Sequence, residues 1–214
     1  PATIDLPATR TAAVQIERSF TGPTLPPEFQ WLRTPYPERL FTMTGSALRL
    51  TGRESLGSWF EQSLVARRQE EPAYSAEADF IADPKTWQQA AGLITYYNRH
   101  KFHAALITHE DSERVVTILS CLGDWPGEAL TFHSRTAVRD GTLTLGVVVD
   151  HATQRFSVNG DPVGPELDAA LVSDEGGRGE HASFTGAFVG VVAYDMTGRG
   201  WTADVTRFVY DDGI

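Results

Sequence analysis

Leu143-Thr-Leu-Gly-Val-Val-Val-Asp150 (LTLGVVVD) decides the fold class of this chain. Leu143, Leu145, Val147 and Val149 fall on every second position, so an extended backbone puts all four on one face and predicts that face to be buried. Just beyond, Gln154–Asn159 runs into an Asn159-Gly160 step, a hairpin signal because both residue types tolerate φ > 0. The same pattern recurs upstream about every ten residues, in short β-branched and aromatic segments separated by Gly, Asp, Asn and Pro. These segments are Ala47–Leu50, Phe60–Arg68, Tyr74–Ile81, Ala90–Tyr97, Phe102–His109, Arg114–Cys121 and Glu128–His133. Asn98-Arg-His-Lys101 reads as a hairpin connection, and Phe188–Asp195 and Ala203–Tyr210 close the series. Only Leu167–Ser173 reads as a short helical turn. Eleven or so strands at this spacing predict an all-β, two-sheet antiparallel sandwich.

The chain before the first strand reads differently. Residues 1–16 are rich in Ala, Thr and Pro and read as a linker, with the sandwich over 17–214. Phe20 to Pro37 carries Pro23, Pro26, Pro27, Pro35 and Pro37 and reads as an ordered surface loop pinned by Trp31 and its other aromatics.

Composition bounds the partners. The 214 residues are 41% hydrophobic and 21% charged, which suits one globular β-domain able to bury a core unaided. A net charge of −10 argues against a phosphate-backbone partner, so no nucleic acid is expected. The densest basic spot, Arg67-Arg68 with Arg53 upstream, reads as solvated strand residues. No apolar run reaches the roughly 18 residues that span a bilayer, and no secretory leader pattern is visible, so no membrane partner is expected. The lone Cys121 sits in an apolar run and reads as a buried thiol. Nothing asks for oxidising surroundings, which favours a cytoplasmic setting.

Chemistry-bearing groups are scattered. Asp174-Glu175, Glu110-Asp111 and Glu70-Glu71 are paired acids in stretches that read as solvated turns, where a carboxyl keeps its ordinary pKa. No catalytic residue is assigned. Among His100, His103, His109, His133, His151 and His181, only His103 and His109 share a strand face, and a third metal ligand is not evident. Trp59, Trp87, Trp125 and Trp201 lie among polar or turn residues, where an indole could stack on a sugar ring or pack at a rim. The Gly-rich stretch from Ser173 to Gly190 leads into Phe184 and Phe188 and is the leading functional loop.

Four stretches in fixed order carry a resemblance: residues 52–69 (GRESLGSWFEQSLVARRQ), 88–103 (QQAAGLITYYNRHKFH), 164–175 (GPELDAALVSDE) and 184–190 (FTGAFVG). Together they resemble the C-terminal domain of family 43 glycoside hydrolases of the β-xylosidase type. The resemblance implies a concanavalin A-like jelly-roll sandwich that follows a five-bladed β-propeller, with residues 1–16 as the tail of the connection. It implies that the propeller holds the catalytic carboxylates and that the chain alone is non-catalytic. It also implies that Phe184 reaches across the domain interface and closes one side of a pocket for xylo-oligosaccharides. Concanavalin-like sandwiches often hold a structural calcium near the first and last strands, for which Asp204 is the candidate ligand; otherwise no cofactor is implied. Arg18-Ser19 stand before Phe20 where the family usually has acids. Self-association into a homo-oligomer is left open, and an independent carbohydrate-binding module, presenting an aromatic platform on one sheet, is the alternative reading.

Overall fold

Alternating strands can bury their apolar faces only against a second layer, and here two sheets provide it. The computed structural model describes residues 13–123, 129–174, 176 and 185–213. In chain order the strands are β1 (Gln15–Arg18), β2 (Phe29–Trp31), β3 (Phe41–Met43), β4 (Leu48–Thr51), β5 (Ser63–Arg68), β6 (Ala73–Ile81), β7 (Gln89–Asn98), β8 (Lys101–Glu110), β9 (Glu113–Leu122), β10 (Leu130–Ala137), β11 (Leu143–Asp150), β12 (Thr153–Val158), β13 (Asp161–Asp168), β14 (Phe188–Asp195) and β15 (Thr202–Asp211). Sheet A runs β13-β12-β11-β6-β15-β4-β3, with β1 also paired to β15; sheet B runs β10-β9-β8-β7-β14-β5-β2. The pairings between these strands are antiparallel.

The expected all-β two-sheet sandwich is what forms. Leu143, Leu145, Val147 and Val149 are all buried, while Val148 between them faces solvent. They meet Val65, Leu93, Ile107, Ile118 and Val191 of sheet B in one inter-sheet core with Phe80, Phe156 and Phe208. Each fully buried Leu or Phe of this kind contributes about 1.5–3 kcal/mol relative to exposure. Asn159 (φ 52°) and Gly160 (φ 86°) turn β12 into β13 with both residues left-handed, as the Asn-Gly step requires. Arg99 and His100 form the two-residue connection between β7 and β8.

Four differences have local causes. The segment expected from Phe60 becomes a strand only at Ser63, because Glu61 turns the chain with φ 49°. Its carboxylate pairs with Arg39 at 2.6 Å and with Arg53, and those ion pairs hold it below its ordinary pKa despite partial burial. Within the proline-rich loop, Phe29–Trp31 pairs with β5 as an edge strand. The turn expected over Leu167–Ser173 is a 3-10 helix at Ala169–Val172, capped by Asp168, whose carboxylate accepts from the Ala170 N–H at 2.9 Å. Gln15 and Ile16, at the end of the stretch read as linker, pair with Asp211 and Tyr210; residues 1–12 of that stretch lie outside the described residues.

The β14–β15 connection turns on one buried carboxylate. Asp195 accepts from the Thr197 hydroxyl (2.5 Å), the Thr197 N–H (3.1 Å) and the Trp201 N–H (2.8 Å). Burial alone would raise its pKa, but these hydrogen bonds outweigh it and hold the carboxyl below its ordinary value. Asp195→Ala strips the acceptor from two backbone donors and is expected to cost about 2 kcal/mol, read as a lower urea midpoint at unchanged m-value.

Candidate functional site

Sheet B is apolar on both faces. β7, β8 and β9 are buried along almost their whole length. The side turned away from the core carries Leu64, Ala66, Ile94, Tyr96, Phe102, Leu106, Leu119 and Val192 as a second cluster. An exposed sheet face normally alternates to polar, so an apolar outer face is either covered or used for binding. The segment before β5 covers part of it: Leu56 packs into the cluster, and Gln62 Nε2 donates to the carbonyls of Leu56 (2.5 Å) and Ser58 (2.7 Å). Two cavities flank this segment, of about 820 Å³ and about 920 Å³. Both are of the size that holds a small ligand.

The first cavity is aromatic and basic. Trp31, Trp59, Tyr96 and Phe188 line it beside Arg33, Arg68 and Arg99. The Arg99 guanidinium lies 3.8 Å from the centre of the Trp59 ring, and that of Arg33 lies 5.8 Å from it. Arg68 stacks on Phe188 at 4.9 Å. Among the described residues no Asp or Glu lines this cavity, although the chain carries a net charge of −10. Burial raises the Tyr96 pKa, keeping it a neutral phenol whose hydroxyl donates to Gln62 Oε1 at 3.1 Å.

The Gly-rich loop is rooted at the same cavity. The Tyr97 hydroxyl donates to Asp174 Oδ1 (2.5 Å) at one end of the loop and accepts from the Thr185 N–H (3.1 Å) at the other. Lys101 donates to the Gly176 carbonyl and Arg68 to the Thr185 carbonyl, so both ends are tied to sheet B. Phe184, Glu175 and His181 lie outside the described residues, as does Trp125.

The second cavity carries Trp87, Phe132 and Tyr194, with Trp87 60% exposed. Glu110 and Asp111 at its edge pair with Arg135 at 3.2 and 3.6 Å, and Glu70 pairs with Arg67 at 2.6 Å. Trp59 is 56% exposed, whereas Trp201 packs against the core and donates to the Asp83 carbonyl at 3.1 Å.

The histidines and the calcium candidate are engaged elsewhere. His103 Nε2 meets the Asp168 carbonyl at 2.9 Å and so must carry the proton. Its Nδ1 therefore accepts from the Ser120 hydroxyl (2.5 Å), which leaves Ser120 to accept from His133 Nε2–H (2.9 Å). A β-bulge between Phe132 and Ser134 frees His133 from the ladder and brings it to this chain. Asp204 gives both carboxylate oxygens to Arg49 at 2.7 Å, and Arg18 pairs with Glu28. Among the described residues no group of three or more His, Cys, Asp or Glu is arranged to hold a metal. Arg67, expected in solvent, is 1% exposed and lies 3.7 Å over the Tyr210 ring. Cys121 is buried as expected.

Sequence reasoning had not singled out Arg33, Tyr97 or Arg99. The signal for Arg99 was present in the Asn98–Lys101 hairpin, whose two-residue tip must leave the sheet. Arg33 (φ 55°) follows a three-residue edge strand that has no period to read.

Comparison with known proteins adds a consistent set of matches. A family model described as the β-xylosidase C-terminal concanavalin A-like domain matches residues 17–211. The chain is 40% identical over 220 residues to xylosidase/arabinosidase 43B of Humicola insolens, covering 97% of this chain and 41% of that protein. It is 33% identical over 201 residues to a β-xylosidase of Bacillus subtilis (strain 168), covering 90% and 38%. The crystal structure of a xylan β-1,4-xylosidase from Bacillus halodurans C-125 superposes with a TM-score of 0.83 at 28% identity, over 97% of this chain and 41% of that one. The chain thus spans about two fifths of the length of the relatives it matches.

Proposed function

Because the chain belongs to the family of β-xylosidase C-terminal concanavalin A-like domains, we propose that it acts as an accessory domain that completes the sugar pocket of an N-terminal five-bladed β-propeller in the hydrolysis of xylo-oligosaccharides. In this reading the propeller supplies the hydrolytic carboxylates and this chain supplies Phe184. The observation that carries it is the loop root: Asp174 and Thr185 are bound to one hydroxyl, Tyr97, at the rim of an aromatic cavity. A loop rooted on a rigid sheet can present a side chain at a fixed place on a neighbouring domain. The apolar outer face of sheet B beyond the first cavity offers the docking surface. Of the paired acids, Glu70, Glu110 and Asp111 are tied to arginines and Asp174 to Tyr97, which supports a non-catalytic role.

The test uses the protein in which this chain is joined to its propeller. Phe184→Ala is expected to lower kcat/KM on xylobiose by about tenfold to a hundredfold, because an open pocket wall loosens the reacting sugar. Unchanged kcat/KM, or nitrophenyl xyloside turnover by this chain alone, would overturn the proposal. A second reading, an independent carbohydrate-binding module, is favoured by the exposed Trp87 and Phe132 at the second cavity. Calorimetric titration of the chain with neutral xylohexaose separates the two, since only a module binds it appreciably.

A further inference from the structure

We propose that the first cavity is a binding site for a carboxylate-bearing sugar, a xylo-oligosaccharide carrying a uronic acid branch. Charge is the first argument. In a chain of net charge −10, Arg33, Arg68 and Arg99 converge on one cavity that, among the described residues, has no acidic lining. Arg18, Arg39, Arg49, Arg135 and Arg207 have carboxylate partners within 4 Å, whereas the exposed Arg139, Arg155 and Arg199, which also have none among the described residues, do not line this cavity. Arg33, Arg68 and Arg99 have no such partner among the described residues. Three unpaired guanidiniums repel one another, and an anion between them relieves that repulsion.

Geometry is the second argument. Arg99 is stacked on Trp59 and Arg68 on Phe188, which fixes each guanidinium plane while leaving in-plane N–H groups free. Arg99 spends Nη1 on the Gly57 carbonyl at 2.7 Å and Arg68 spends Nη1 on the Thr185 carbonyl, which leaves Nη2 of each without a partner among the described residues, while the Arg99 Nε is buried. Arg33 is held beside the ring by a left-handed backbone, φ 55°, that costs a non-glycine residue free energy. A pre-oriented guanidinium fork matches a carboxylate in bidentate fashion. The neutral part of the ligand follows from the rest of the lining. Trp31 and Tyr96 give apolar ring surface, and Gln30 and Asn98 give hydroxyl partners, the mixture a sugar ring needs. The proposal rests on the sugar-processing reading for the kind of ring, and on the cavity itself for the charge.

The test titrates the chain calorimetrically with xylotriose bearing one 4-O-methylglucuronic acid, with xylotetraose, and with a glutamate-rich peptide. The acidic sugar is expected to bind at least about tenfold more tightly than either other probe, and to weaken severalfold at about 0.5 M NaCl as screening shortens the Debye length. Arg33→Glu, at an exposed side chain, is expected to weaken the acidic sugar about tenfold without lowering the melting temperature or changing xylotetraose binding. Arg99→Lys keeps the charge but loses the fork, and should weaken the same ligand. Equal affinity for acidic and neutral sugars, tightest binding of the peptide, no heat with the acidic sugar at millimolar concentration, or indifference to Arg33→Glu would each overturn the assignment. These outcomes are independent of the Phe184→Ala kinetics, so the two proposals fail separately.

Discussion

Gly92→Ala is expected to destabilise the domain by roughly 4 kcal/mol, near the top of the range for a single added methyl group. Gly92 lies in β7, paired with Leu106 of β8 on one side and Val192 of β14 on the other. A Cβ there would sit 1.8 Å from the Ala105 carbonyl oxygen and 2.9 Å from the Leu106 Cα. Both are backbone atoms of a hydrogen-bonded neighbour, so no rotamer can give way. Relief requires β7 and β8 to part, with loss of ladder hydrogen bonds under a packed apolar layer. Gly190, on the adjacent strand β14 opposite Ile94, is also tight: a Cβ there would sit 2.3 Å from the Val65 carbonyl oxygen and 2.4 Å from the Ala66 Cα. Gly57→Ala is the control, since nothing lies within 4 Å of its Cβ position and its φ is not left-handed. Urea unfolding of the two variants side by side decides the matter: equal midpoints would show that the strands accommodate the methyl.

The second large effect is a pH dependence. His103 is 1% exposed, and burial drives its pKa down from 6.5 to about 4, against a smaller opposing pull from the Asp168 carbonyl. The folded protein therefore holds this imidazole neutral where the unfolded chain would protonate it. Above pH 6.5 the neutral form prevails in both states and the stability is complete. As pH falls from 6.5 to about 4, the unfolded chain takes up a proton that the folded one refuses, and about 3 kcal/mol is lost. His103→Gln, which can still accept from Ser120, should flatten the stability curve across that window relative to the parent chain. Parallel curves for the two proteins would refute the assignment of this loss to His103.

The sandwich was legible wherever alternation was strong. β11 and β14 have the very bounds expected from their aliphatic pattern, β6 starts one residue earlier, and β7, β8 and β9 each run one residue further at both ends. The strands that escaped notice lack the length or composition to show a period. β2 and β3 are three residues each, β1 is four, and β13 carries Pro162, Gly164 and Pro165 at the margin of sheet A, where missing donors are tolerated. Arg67 and Arg68 show a different limit. Adjacent strand residues face opposite ways, so one of the two had to point inward, yet charge suggested solvent for both. The outer face of sheet B could not be read at all. A run such as Ala90–Tyr97 is apolar on both sides, and only the tertiary structure tells which side meets the core and which meets the cavities. The three arginines of the first cavity come from β5, the β7–β8 turn and the segment after β2, and no linear spacing joins them.

The order of strands also bears on how the chain reaches this structure. β14 lies between β7 and β5 in sheet B, and β15 lies between β6 and β4 in sheet A. The interior of each layer is thus filled by the strands that come last in the sandwich's own order. Until they emerge, β5 and β7 have no common neighbour, nor have β4 and β6, and nascent chains carry unpaired apolar edges open to wrong partners. Closure of either sheet must await β14 and β15, which makes folding slow in the manner of non-local β topologies.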